Sequence, residues 1–108
     1  MNTNDTDDLT SQEQVRAETA QRQKLARDTD ESDFKWLMGS KRGRRIVWRL
    51  LERARVFHPS FNTNAMSMAF ADGQKTEGFK TLEKIHTLCP ELYSVMLKEA
   101  LHDNRKPD

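Results

Sequence analysis

The sequence lacks three features that would define its class directly: a cysteine pair, a long apolar run and, in its first residues, the pattern of a signal peptide. Cys89 is its only cysteine, so no internal disulfide can form, and we expect a reducing cytoplasm with Cys89 as a small buried apolar residue. No apolar run approaches the roughly 20 residues that span a bilayer. The first residues, MNTNDTDDLTSQEQ, have neither a basic start nor an apolar stretch. We therefore expect neither export by the general pathway nor membrane insertion.

Apolar residues are also scarce, which limits the size of the core. They make up 35% of the 108 residues against 32% charged, so we expect one modest core with part of the chain outside it. The net charge of +1 conceals an uneven distribution. Residues 1–33 carry nine acidic and four basic side chains, a net charge of −5, which leaves +6 for residues 34–108. An acidic arm of this kind can fold back on a basic body or be displaced from it by a competing polyanion.

Polarity divides the chain into an acidic arm (1–32), a helical core domain (33–102) and a C-terminal tail (103–108). The first nine residues have almost no apolar content, so we expect them to be disordered. Residues 11–27 favour a helix but contain too few apolar side chains to anchor it firmly. The segment DTDESD then supplies N-cap candidates for a short apolar helix that ends at Gly39, a residue suited to a left-handed stop.

Apolar periodicity predicts three further helices. Ser40 suits the N-cap of the first, whose apolar face we expect to be buried; that face comprises Ile46, Val47, Leu50, Leu51 and Ala54. A loop pinned to the core by its two phenylalanines is predicted over 56–63. The next helix is predicted over 64–88, with these residues inward: Met66, Phe70, Phe79, Leu82, Ile85 and Leu88.

Glycine and proline modify the last two helices. Gly73 and Gly78 weaken the helix over 64–88, so a kink or a close helix crossing is expected there. Pro90 suits the first position of the final helix, whose predicted apolar face comprises Leu92, Tyr93, Met96, Leu97 and Leu101. We see no internal repeat and no convincing strand. The predicted fold is all-α: a small bundle of about four helices with a polar N-terminal arm that is helical or disordered.

The strongest functional signal is the segment KRGRRIVWRLLERAR (41–55), which holds seven basic residues and one acidic residue. On a helix, Arg42, Arg45, Arg49 and Arg53 form one stripe, here named the arginine stripe, on the side away from the predicted apolar face. Guanidinium groups match phosphate and carboxylate oxygens, so the stripe predicts a docking surface for a nucleic-acid backbone or an acidic protein. An ordinary solvated face, partly neutralised by the acidic arm, is an equally weighted interpretation.

Trp48 lies about 130° from the centre of that apolar face at 100° per residue. A helix packed on one side only would leave its indole partly exposed, beside arginines, as an anchor for a partner. Packing under the arm or under the Phe57 loop is an alternative of at least equal weight.

Catalytic and metal-binding patterns are weak. His58, His86 and His102 have no metal-ligand spacing with Cys89 beyond the nearness of His86 to it, and two ligands three residues apart make no zinc site. No nucleophile triad, glycine-rich phosphate loop or paired-carboxylate pocket can be argued from the spacings. We expect no catalytic residue, no metal and no cofactor. The methionines and phenylalanines after position 64 fit a core or a partner-binding face, and the sequence does not separate the two.

Residues 33–100 resemble a family of small proteins of tailed bacteriophages, chiefly short-tailed phages and related prophages. The resemblance is carried by DFKWLMGSKRGRRIVWRLLERARVFHPSF, with its Trp36-Leu37, Gly43-Arg44-Arg45 and Val56-Phe57 elements, and by CPELYSVMLKEA near the end. It implies a virion-associated component made in the bacterial host cytoplasm, and it implies no chemistry. The arm falls outside the resemblance.

Three functions from different classes follow as hypotheses, and a small enzyme that uses Cys89 with His86 ranks last among them. The leading one is a non-enzymatic virion or assembly protein, a small helical adaptor that binds another phage structural protein through the arm, Trp48 and the arginine stripe. The second is a helical nucleic-acid-binding or host-directed regulator that places the arginine stripe on phosphates, without a recognisable base-reading helix. Self-association is compatible with these first two, since a small core with a spare arm leaves surface to cover.

Overall fold

The fold is entirely helical in the part of the chain that the structure describes. The computed structural model describes residues 3–58 and 64–105, and within them the side chains of residues 8–58 and 64–103. Four helices follow one another: α1 (Thr3–Met38), α2 (Lys41–Arg53), α3 (Ala65–Leu88) and α4 (Glu91–Arg105). No strand occurs among the described residues. The predicted all-α fold, a small bundle of about four helices, is therefore confirmed.

Helix α1 is longer than the sequence indicates, because its polar first part and its apolar last turns form one uninterrupted helix. Residues 3–9, expected to be disordered, are helical. The segment 28–33 also continues the helix without the second N-cap that its side chains suggested. Asp and Ser favour caps but do not force a helix to end, and no glycine or proline breaks the backbone before Gly39. The two helices expected here are therefore one.

The end of α1 lies where it was predicted, but it is built differently. The Gly39 N–H donates to the Trp36 carbonyl at 3.1 Å, a tight three-residue closure of the last turn. Gly39 does not adopt a positive φ, so the predicted left-handed stop is wrong. The extended backbone of Ser40 turns the chain instead, and its hydroxyl accepts a hydrogen bond from the Gly43 N–H at 3.0 Å, which confirms Ser40 as the N-cap of α2.

Contacts divide the chain into two compact units, residues 1–33 and 34–108. In the first unit every described side chain, from Asp8 to Asp33, is exposed. Its apolar residues do not gather into a stripe, so no face of this helix is suited to packing. This part of α1 is a solvated polar helix supported by its own backbone hydrogen bonds.

The second unit holds the core, which lies between the last turns of α1 and the three helices that follow. Its buried residues are Met38, Val47, Leu51, Ile85, Cys89 and Met96, and partly buried apolar side chains surround them. Helices α2, α3 and α4 each pack against the other two. The Lys84 ammonium lies 5.4 Å from the centre of the Phe34 ring, a cation–π contact that joins α3 to the last turns of α1.

Two glycines let neighbouring segments approach closely. A Cβ at Gly43 would collide with the Leu37 carbonyl, so α2 crosses the end of α1 only because this position has no side chain. A Cβ at Gly78 would collide with the Val56 and Ala54 side chains, so the predicted close crossing is confirmed at this position. Gly73, by contrast, has open space where a Cβ would be.

The chain after α2 turns through a left-handed residue. Arg55 has a φ of 57°, and its N–H donates to the Glu52 carbonyl at 3.0 Å. This turn begins the predicted loop and stacks Phe57 on Trp48, but Phe57 remains 47% exposed and is not part of the core, contrary to expectation. The rest of that loop, residues 59–63 with Phe61, lies outside the described residues.

Helix α3 begins as predicted but buries less than expected. The Asn64 side chain caps it by accepting from the N–H groups of Met66 and Ser67 at 2.9 and 3.1 Å. Ile85 is buried and Leu82 and Leu88 are partly buried, as expected. The inward placement of Met66, Phe70 and Phe79 is wrong: Met66 is 84% exposed, Phe70 is 70% exposed and Phe79 is about half exposed. The buried side chains of α3 are confined to its second half, beyond Gly73.

Helix α4 follows α3 after a sharp turn at Cys89 and Pro90. Cys89 caps α3 with its N–H on the Ile85 carbonyl at 2.9 Å, and its own carbonyl accepts from the Leu92 N–H at 3.0 Å. On α4, Met96 is buried and Leu92, Tyr93 and Leu97 are partly buried, as predicted, whereas Leu101 is half exposed. The buried thiol of Cys89 matches the expectation of a small buried apolar residue.

Candidate interaction surface

The sequence predicts function on α2, and the orientation of this helix decides which side chains are available. Its buried residues are Gly43, Val47 and Leu51, spaced four apart along one line. Gly43 brings the first turn against the backbone of α1, which rotates the buried line away from the face that apolar spacing indicated. Ile46 and Leu50, expected inside, are therefore 43% and 48% exposed. The expected burial of these two side chains is wrong.

Arg44, outside the arginine stripe, is the structural arginine of α2. Its Nε donates to Glu99 Oε1 at 2.8 Å, and its Nη2 lies 2.8 Å from the same oxygen. Its Nη1 donates to the Met38 carbonyl at 2.9 Å. Both side chains of the pair are mostly buried, so this guanidinium joins the end of α1, α2 and α4 and is not available to a partner.

Arg45, a predicted contact residue, is exposed but has an acidic neighbour. Its Nε lies 3.8 Å from Asp103 Oδ2, and Lys41 Nζ lies 3.8 Å from the other oxygen of that carboxylate. Pairs this long and this exposed contribute little to stability. The Asp103 carboxylate nevertheless offsets part of the positive charge at this edge of α2. Arg45 therefore contributes less positive charge to the arginine stripe than an unpaired arginine would.

Arg42, Arg49 and Arg53, here named the outward arginines, are exposed and make no ion pair within the described part of the chain. At 100° per residue they fall within about 40° of arc, and at 1.5 Å per residue they span about 16 Å along α2. On the helical wheel Ile46 and Leu50 lie beside this line, about 20° and 60° from Arg53, so the expectation that the arginine stripe lies away from these two residues is wrong. The surface is thus a row of guanidinium groups with an aliphatic edge.

Trp48 packs within the folded unit. Its ring is stacked on that of Phe57, with centroids 5.5 Å apart and planes 28° from parallel, and the indole is partly buried against the core. Of the two interpretations of Trp48, this geometry favours packing against the Phe57 turn. Only the solvent-exposed part of the Trp48 ring is left to contact a partner, as the alternative interpretation requires.

Trp36 is the exposed tryptophan, and sequence reasoning did not select it. It lies in the last turn of α1 and is 81% exposed, while Phe34, Leu37 and Met38 around it pack against or within the core. A signal for this was present in the sequence, since at 100° per residue Trp36 points away from the side that those three residues share. An indole held in solvent at the edge of a folded core is typical of an interface anchor.

The surroundings of Cys89 and His86 do not favour thiol chemistry. The Cys89 thiol is buried, and this desolvation, with the Glu91 carboxylate as a second cause, raises the pKa of the thiol although Lys35 opposes it. The His86 ring lies against Tyr93, with centroids 5.2 Å apart. Among the described residues no group of three His, Cys, Asp or Glu side chains is arranged to hold a metal ion. Over the same residues, no helix combines the length and apolarity that a bilayer crossing requires.

Comparison with known proteins gives one result. A family model described as "Bbp19-like phage protein" matches residues 34–98, which is more than half of the chain. The match begins at the residue where the second compact unit begins. No curated protein and no solved structure matches the chain.

Proposed function

Because the chain belongs to the family of Bbp19-like phage proteins, we propose that it is a non-enzymatic virion-associated or assembly protein, a small helical adaptor that binds another phage structural protein. It is made in the cytoplasm of the bacterial host and is carried into, or acts on, the assembling particle. The family match covers residues 34–98 and leaves the arm outside it.

One observation carries this proposal: the family-matched core holds Trp36 in solvent. Burying a large apolar side chain contributes about 1.5–3 kcal/mol, and the folded core does not gain this free energy from Trp36. A partner that covers Trp36 recovers this free energy as binding, and tryptophan is among the residues most enriched at the energetic centre of interfaces. The outward arginines and the exposed Met66 and Phe70 add further uncovered surface.

The arm supports an adaptor more than a self-contained domain. Its described side chains are all exposed on one long helix, and a helix this polar has little to stabilise it apart from its backbone. A partner surface that packs against it would supply the missing contacts. We therefore include the arm, with Trp36 and the arginine stripe, among the binding elements.

The outward arginines also support a second candidate, a nucleic-acid-binding or host-directed regulator. Three guanidinium groups in solvent suit phosphate oxygens. Such binding weakens steeply as the salt concentration rises, because the release of counterions from the nucleic acid then contributes less free energy. Two of the remaining bases of the segment, Arg44 and Arg45, already face carboxylates of α4. The basic surface is thereby reduced to one narrow row, which favours the protein-binding candidate.

Mass spectrometry of purified particles, together with co-purification of tagged full-length chain from infected cells, tests the proposal. We expect the chain in the particle, or in a complex with a structural protein that survives moderate salt. Absence from particles and from every complex with a structural protein would overturn the adaptor role. Recovery only with nucleic acid, lost between low and moderate salt, would establish the second candidate instead.

A further inference from the structure

The exposed side of α2 combines two chemistries along its length. The outward arginines (Arg42, Arg49 and Arg53) form a row, and Ile46 and Leu50, nearly half exposed, form an aliphatic edge beside it. From these features we propose that the partner is a protein and that the segment seated on α2 is an acidic amphipathic helix lying along it. This inference deepens the proposed function and rests on it, since it names the chemistry of the protein that the adaptor binds.

The aliphatic edge favours a protein partner over a nucleic-acid backbone. Phosphates and sugars have no apolar surface that would pack against Ile46 and Leu50. An amphipathic helix, by contrast, has an apolar strip that can cover these two side chains. These two residues are four apart and so lie one above the other on the surface of α2, which is the spacing at which a facing helix inserts its own aliphatic side chains. The apolar contact supplies affinity, and the charges supply orientation.

The spacing of the arginines fits the same occupant. Arg42 and Arg49 are separated by seven residues, and Arg49 and Arg53 by four, separations at which side chains of any α-helix return to one face. A helix alongside α2 that carries carboxylates four and seven residues apart therefore places one acid opposite each guanidinium. Charge complementarity is available because the outward arginines have no carboxylate partner within the described residues, while their neighbours Arg44 and Arg45 do.

The test uses the full-length chain and two labelled helical peptides of equal composition. In the first peptide, glutamates spaced four and seven residues apart lie beside a strip of leucines on one face of the helix. The second peptide has the same residues in shuffled order, so that its glutamates and leucines are distributed around the helix. Fluorescence anisotropy should show saturable binding of the first peptide and at least about tenfold weaker binding of the second.

Variants then locate the binding site. R42E/R49E should weaken the first peptide at least about tenfold, and I46S/L50S should weaken it several-fold at unchanged net charge. The control K80E/K98E changes the net charge by the same amount at exposed positions of α3 and α4 and should leave binding within about twofold. A peptide with lysine at each glutamate position should bind R42E/R49E better than it binds the unchanged chain.

Three results would overturn the inference: equal binding of both peptides, equal loss in R42E/R49E and the control, or no saturable binding of the first peptide. Tight binding of a 20-base-pair DNA duplex, abolished by R42E/R49E and unaffected by I46S/L50S, would show that the row serves phosphates. The proposed function fails separately, through absence from particles and structural complexes. If R42E/R49E enters particles normally, the adaptor role stands and the α2 site is wrong.

Discussion

Arg44 and Glu99 form the connection that holds α2 to α4: two guanidinium nitrogens lie 2.8 Å from one carboxylate oxygen, and a third donates to the Met38 carbonyl. Because both side chains are mostly buried, removal of one leaves the other charge poorly solvated. Arg44 therefore positions the helix that carries the outward arginines, although it does not contact a partner itself.

Glu99→Ala should reduce the free energy of unfolding by about 2 kcal/mol, because Arg44 then keeps its burial without its carboxylate. Urea unfolding followed by circular dichroism measures this. Glu83→Ala, at an exposed position of α3, is the matched control and should change stability by less than about 0.5 kcal/mol. Equal effects of the two substitutions would show that the Arg44 pair does not hold the helices together.

Gly43→Ala and Gly73→Ala should change the free energy of unfolding in opposite directions. The first introduces a methyl group against the Leu37 carbonyl and should cost about 2–3 kcal/mol, since helix backbone has to move. The second introduces the same group into open space in a helix and should stabilise by about 0.5–1 kcal/mol. Thermal or urea unfolding of both variants measures these two changes in stability. A stabilised Gly43→Ala would contradict the close crossing of α1 and α2.

The helical fold could be predicted from the sequence because caps and breakers are local. Ser40, Asn64 and Gly39 mark helix boundaries within one residue of those observed. What remained hidden depends on tertiary approach. The spacing of apolar residues gave no indication that Gly43 would bring α2 against α1 and so turn Ile46 and Leu50 towards solvent.

The candidate surface was predicted only in part for the same reason. Periodicity placed all four stripe arginines on one side, yet pairing of Arg45 with Asp103 depends on where α4 lies. Spacing left the burial of Trp48 open and did not select Trp36, because the contacts that cover an indole depend on how the helices pack. Met66 and Phe70 fit an amphipathic pattern, but the first half of α3 has no buried side chain. Their contribution to a core or to a partner face could not be settled by spacing.

Trp36→Ala should weaken binding of the partner without changing stability, whereas Trp48→Ala should reduce stability. Trp36→Ala removes an exposed ring, so unfolding free energy should change by less than about 0.5 kcal/mol while affinity for the structural partner falls at least about tenfold. Trp48→Ala removes the ring stacked on Phe57 and should cost about 2–3 kcal/mol of stability. Loss of stability in the first variant without loss of binding would assign Trp36 a structural role.

Cys89 should be nearly inert in the folded chain. Burial raises the pKa of its thiol, so the reactive thiolate is scarcer at neutral pH than in an exposed cysteine, and the side chain is also shielded from reagents. Labelling with a thiol reagent at pH 7 should proceed at a rate set by unfolding and should become fast in denaturant. Cys89→Ala should keep particle association. Rapid labelling of the folded chain, or loss of function in Cys89→Ala with the fold intact, would reopen a catalytic role.

In the proposed function, the uncovered surface of the folded core attaches this chain to a phage structural protein. The most direct measurement is quantitative mass spectrometry of particles assembled with either the unchanged chain or the variant W36A/R42E/R49E, after circular dichroism has shown equal helicity. We expect the unchanged chain to enter particles at a fixed copy number and the variant to be depleted at least about tenfold. Equal incorporation of the folded variant would contradict this proposal.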